Sequence, residues 1–173
     1  MDLALGISDP QGNYSASEHD LGPSVLASRS FSAVFELAEQ IALCESAEEM
    51  LAKVYAANIP FLKVSVGSEI AMLMRPKLFW VANTRTVWTH LLIKHGFDYA
   101  LANEELRLYR DGDQNSKMAY EKWRAIYFTM SDTLDDLRKM ADAESKRQKV
   151  TPGKYVNLWL DSVANAVYEE RAG

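Results

Sequence analysis

The side chains that could do chemistry are few, and their spacing works against it. The histidines are His19, His90 and His95. On a helix, five residues of separation sets the last two about 140° apart, so they do not share a metal ion. A carboxylate-bridged di-iron bundle needs Glu-x-x-His on two helices, and that tetrapeptide does not occur. His95 before Gly96 is expected to meet the last carbonyls of its helix, and His90 is expected at the surface. Cys44 is followed by Glu45, Glu48 and Glu49, whose charge raises a thiol's pKa, so a half-buried structural cysteine is expected rather than a nucleophile.

Asp111-Gly112-Asp113-Gln114-Asn115 offers oxygens at the first, third and fifth places of a calcium loop. Ser116 then stands where the loop needs glycine, and Lys122 where it needs a bidentate carboxylate. The plainer reading is a solvated turn. Glu104-Glu105 and Asp135-Asp136 are neighbours in sequence, and neighbours diverge by about 100° on a helix, so neither makes a paired acid and base. Gly-x-Gly-x-x-Gly, phosphate-loop and nucleophile-elbow motifs are missing. No catalytic residue, metal ligand or cofactor is therefore assigned, and the chain is read as a non-enzyme.

Composition points to helices. The 173 residues are 48% hydrophobic and 25% charged with only 8 Gly and 5 Pro, too few turn formers for a sandwich or barrel. The net charge of −5 opposes nucleic-acid binding. Met1 to Gly6 lacks the basic start of a secretory signal, and no apolar run approaches the ~20 residues of a membrane span, so a cytoplasmic protein is expected.

Residues 1–28 show no period and read as an irregular N-terminal arm, followed by a single α-helical domain over 29–173. Phe31, Val34, Phe35, Ala38 and Ile41 recur at helical spacing. Ser46-Ala47-Glu48-Glu49 is a capping box, in which the Glu49 carboxylate reaches back to the Ser46 amide, and its helix ends before Pro60. Residues 61–75 could be helix or extended linker. Pro76 suits the first turn of a helix ending at Gly96, with Trp80, Val81, Trp88, Leu91 and Leu92 on one face. Asp98 caps a helix to Arg110. An uninterrupted helix over about 116–148 carries a spine of Trp123, Ile126, Met130, Leu134 and Leu137. Thr151-Pro152 opens the last, with Val156, Trp159, Leu160, Val163 and Val167 inward. The fold expected is all-α, an antiparallel bundle of about six helices. Trp80, Trp88, Trp123 and Trp159 read as core aromatics rather than a cofactor pocket.

Some apolar side chains exceed what one core face needs. Phe79 and Ile93 lie off the main stripe, and the run holding Met72 and Met74 has no polar side. Such helices are central or are covered by another chain. A protein-binding role follows as the expectation, as an accessory subunit or a self-associating oligomer, with Phe79, Ile93, Met72 and Met74 as contacts. Phe35 to Gln40, Ser46 to Glu49 and Tyr55-Ala56-Ala57 together resemble the helical region of phasins, and Tyr155 to Asp161 resembles a segment of the accessory subunit of polyhydroxyalkanoate synthase. That resemblance implies association with polymer granules or lipid surfaces through amphipathic helices. An enzyme with an unrecognised helical site is the third alternative.

Overall fold

A computed structural model describes residues 20–28 and 31–171, and these are all-α, with eight helices. They are α1 (Leu21–Ser28), α2 (Phe31–Leu43), α3 (Ala47–Ala57), α4 (Val64–Met74), α5 (Thr84–Lys94), α6 (Tyr99–Arg110), α7 (Lys117–Gln148) and α8 (Val156–Arg171). The two beyond the expected six are α1 and α4. Most of the expected N-terminal arm lies outside the described residues, but Leu21–Ser28 is helical rather than irregular. Gly22-Pro23 reads as punctuation, yet a proline in the first turn forfeits only an amide that has no helical partner. The described residues form two compact units, divided between Phe79 and Trp80.

In the first unit α2, α3 and α4 pack on one another. The α2 face of Val34, Leu37, Ala38 and Ile41 is buried, as the period requires. Ser46 caps α3 by accepting the Glu49 amide at 3.2 Å. The Glu49 carboxylate answers at the Glu45 amide, 3.2 Å away, one residue before the expected one. Asn58 ends α3 in the left-handed region, at φ 44°, ahead of Pro60.

The ambiguous stretch resolves as helix α4, burying Val64, Ile70, Ala71 and Met72. Gly67 explains how it sits so near α3: a Cβ there would lie 2.6 and 2.7 Å from the two Val54 methyls. A helical Gly→Ala change ordinarily stabilises by about 1 kcal/mol. Here Gly67→Ala should instead destabilise by about 1–2 kcal/mol through overpacking. Adding Val54→Ala should recover much of that loss. Urea midpoints of the two single variants and the double variant check it, and additive losses would show that Val54 is not the obstacle.

Pro76 does not open a helix. Arg75 turns the chain, its carbonyl accepting from Leu78 and Phe79 at 2.9 and 3.1 Å. Its guanidinium donates to the Cys44 carbonyl and to that of Ala42, the latter at 3.4 Å. A cation at these carbonyls satisfies the end of α2 and its dipole.

In the second unit α5 packs against α6, α7 and α8. All residues from Thr86 to Leu92 are buried, so α5 is a central helix without a solvent face. It begins at Thr84, not Pro76, because the start signal is a capping box. Asn83 Oδ1 accepts from the Arg85 and Thr86 amides, both at 3.0 Å, while Thr86 Oγ1 accepts from the Asn83 amide at 3.1 Å. Gly96 follows its last turn with φ 61°.

Asp98 caps α6 and Ser116 caps α7, as expected. The 32 residues of α7 span about 48 Å. Trp123, Ile126, Met130 and Leu137 of its spine are buried, Leu134 partly, and Met140 is 45% exposed. The last helix starts at Val156 rather than Thr151. Gly153 in the preceding loop lies beneath Trp159, where a Cβ would come 3.4 Å from that residue's Cβ. Only Leu160 and Ala164 of α8 are fully buried, while Val156 is 40% exposed, so its inward face is narrower than its valines suggested.

Candidate functional site

Polar side chains gather where α5 meets its neighbours in the second unit. His90, expected at the surface, is buried on α5. Its Nδ1 lies 2.5 Å from Thr133 Oγ1 of α7. The Thr133 hydroxyl donates its hydrogen to the Met130 carbonyl at 2.9 Å. The histidine must therefore donate through Nδ1–H, which the neutral Nδ1–H tautomer and the imidazolium can both do. Burial pushes its pKa down to about 4, the Lys94 charge adding to the effect and Glu105 opposing it. Neutrality at physiological pH thus has an electrostatic cause, and the Thr133 contact then places the one ring hydrogen on Nδ1.

One turn on, Lys94 and His95 converge on Glu105 of α6. Lys94 Nζ donates to its two oxygens at 2.7 and 2.8 Å, and His95 Nε2 lies 2.7 Å from Oε2. Burial alone would raise the Glu105 pKa, but hydrogen bonds and charge from Lys94 and His95 outweigh it and hold it below its ordinary value. Tyr109 nearby is pushed up by burial and then by Glu105. Both oxygens of a held carboxylate are engaged, so the cluster fastens α5 to α6. The His95 imidazole turns to Glu105 rather than to the last carbonyls of α5, which its backbone N–H meets instead.

The third group lies on α8. Asn165 Nδ2 donates to Asp161 Oδ2 at 3.2 Å. Asp161 Oδ1 and Asn165 Oδ1 are buried without a partner, and Trp159 Nε1 shares that condition. Burial pushes the Asp161 pKa up to about 6, against the Asn165 hydrogen bond and the charge of Arg85. Arg85 is engaged with Glu169, 2.8 Å away.

The remaining features fall as follows. Cys44 is fully buried rather than half-buried, with burial first and Glu49 second raising its thiol pKa. The acidic turn is held within itself and by α7: Asp113 Oδ1 accepts the Asn115 amide at 2.9 Å, and Gln114 Oε1 accepts from Trp123 Nε1 at 3.2 Å. Among the described residues no three His, Cys, Asp or Glu side chains form a metal-binding group. None of the described helices is long and apolar enough to cross a membrane.

Of the apolar contacts expected from sequence, Phe79 and Met72 are buried, at 0% and 1% exposure. Ile93 is partly buried against Leu137, Leu160 and Ala164. Met74 keeps 36% exposure. The chain's own packing therefore takes up most of the apolar surplus, the central-helix alternative. Sequence reasoning passed over an exposed aromatic pair on α2, where Phe31 and Phe35 are 62% and 51% exposed. Their rings stack at 6.4 Å. Their spacing of four is legible in the sequence as the helical period, which does not by itself say which apolar residues are buried. No protein-family model, curated protein or solved structure matches the chain.

Proposed function

We propose that the chain works by associating with protein, a second copy of itself included, rather than by catalysis. The observation that carries this reading is the stacked pair Phe31 and Phe35 standing in solvent on α2, beside the helix's buried face. Two exposed aromatic rings present the side chains that most often anchor protein interfaces. Leu43, at the end of the same helix, is 79% exposed. On α5 itself His90, Lys94 and the adjoining His95 are engaged with Thr133 and Glu105, a pattern that serves rigidity in an interaction scaffold.

Light scattering on the eluting protein over a wide concentration range tests the self-association form. The expected result is a mass above the 19.5 kDa of one chain, falling to one chain in Phe31→Ser/Phe35→Ser with its helical circular dichroism intact. A wild type that stays at the monomer mass throughout, with the double variant no different in mass or solubility, would remove the basis for the proposal.

A further inference from the structure

Two buried oxygens on one helix lack hydrogen-bond donors while their side chains already touch. Asp161 and Asn165 stand one turn apart on α8, joined by the Asn165 Nδ2 to Asp161 Oδ2 hydrogen bond of 3.2 Å. Their other oxygens, Asp161 Oδ1 and Asn165 Oδ1, are both shielded from solvent and both without a partner. Two acceptors cannot satisfy each other, and a buried acceptor left unmatched costs about 1–3 kcal/mol. A single hydrogen between them would satisfy both.

We propose that this pair is a proton-held latch: Asp161 carries a hydrogen on Oδ1 and donates it to the Asn165 carboxamide oxygen, closing an acid–amide ring that steadies α8 beside α5. The ring balances in donors and acceptors. The amide gives one N–H to Oδ2 and the acid gives one O–H to the amide oxygen. Removing the proton leaves Asp161 Oδ1 and Asn165 Oδ1 both without a donor, and adds a buried negative charge.

The surroundings favour the neutral acid. Leu137 of α7 packs with Leu160 and Ala164, the residues just before Asp161 and Asn165 on α8. The cation acting on Asp161 from α5 is Arg85, already paired with Glu169 of α8 at 2.8 Å. Ionised Asp161 would have to compete with Glu169 for that guanidinium, so the two states differ in which carboxylate Arg85 serves. Burial raises the Asp161 pKa to about 6, in agreement with the geometry. The latch is closed below that pH and loosens above it.

The test follows the Asp161 side-chain carboxyl carbon by nuclear magnetic resonance in the full chain as pH is varied, together with amide hydrogen exchange along α8. The expected midpoint is near 6, with exchange in α8, corrected for its intrinsic pH dependence, speeding up about tenfold on passing above it. Asp161→Asn supplies a permanent donor at the same place and should leave α8 exchange independent of pH. A wild-type midpoint in the ordinary aspartate range near ~4 overturns the proposal, as does an Asp161→Asn chain with the wild-type pH dependence. Should that variant not fold, the wild-type midpoint decides alone.

Discussion

Trp88→Ala should lower the unfolding free energy of the second unit by about 3–5 kcal/mol, the loss typical of a buried tryptophan truncated to alanine. Trp88 is the largest fully buried side chain described, and it sits on the central helix. Its ring meets Tyr168 of α8 edge-on with centroids 5.4 Å apart, and Tyr99 of α6 at 6.1 Å. Its Nε1 donates to Asn103 Oδ1 of α6 at 2.7 Å. One side chain thus ties three helices, and alanine leaves a cavity that α5 cannot close without drawing away from one of them. Trp88→Phe separates the parts: it keeps most of the ring contact and loses the indole hydrogen bond, so about 1–2 kcal/mol is expected from that hydrogen bond and the missing ring volume. Asn103 is solvent-exposed, so its carbonyl can turn to water and adds little penalty. Urea unfolding followed by tryptophan fluorescence and circular dichroism gives the numbers. A loss below about 1 kcal/mol for the alanine variant would mean that α5 is held by its aliphatic neighbours instead.

The sequence revealed what is local and periodic. Ser46, Asp98 and Ser116 cap helices because a hydroxyl or carboxylate before an apolar repeat has few other uses, and the length of α7 follows from a run without glycine or proline. Pro76 and Pro152 misled because each is compatible with a first turn, whereas the starts were decided by the Asn83–Thr86 box and by a loop lying under Trp159. His90 was misjudged because a helical wheel assumes one wet face. On α5, buried from Thr86 to Leu92, no such face exists, and that depends on how three other helices pack. The same cause withdraws Phe79 and Met72 as partner contacts: apolar residues off the main stripe signalled burial from several sides within the chain. The Asp161–Asn165 spacing was visible throughout, but its meaning rests on which oxygens are shielded, and only packing determines that.

The pH dependence of stability should carry two opposed contributions, and replacing His90 should expose the second. The fold lowers the His90 pKa to about 4, so between there and its unfolded value near ~6.5 the unfolded chain binds more protons. Stability from this group therefore rises with pH across that window and is lost as pH falls through it, by about 2 kcal/mol once solvent screening of a partly shielded site is allowed for. Asp161 runs the other way. Its folded pKa of about 6 exceeds the unfolded ~3.9, so the folded chain binds more protons in nearly the same interval. Its contribution is present at the acid end and is lost as pH rises, again by about 2 kcal/mol. Wild-type stability should thus change little between about pH 4 and 6.5. His90→Asn can still offer Thr133 an N–H donor but no longer titrates. In that variant the urea midpoint should fall as pH rises, because the Asp161 slope is left unopposed. If the variant instead kept the wild-type profile, His90 would be titrating with its unfolded pKa. The buried neutral tautomer that hydrogen-bonds Thr133 would then not describe the protein in solution.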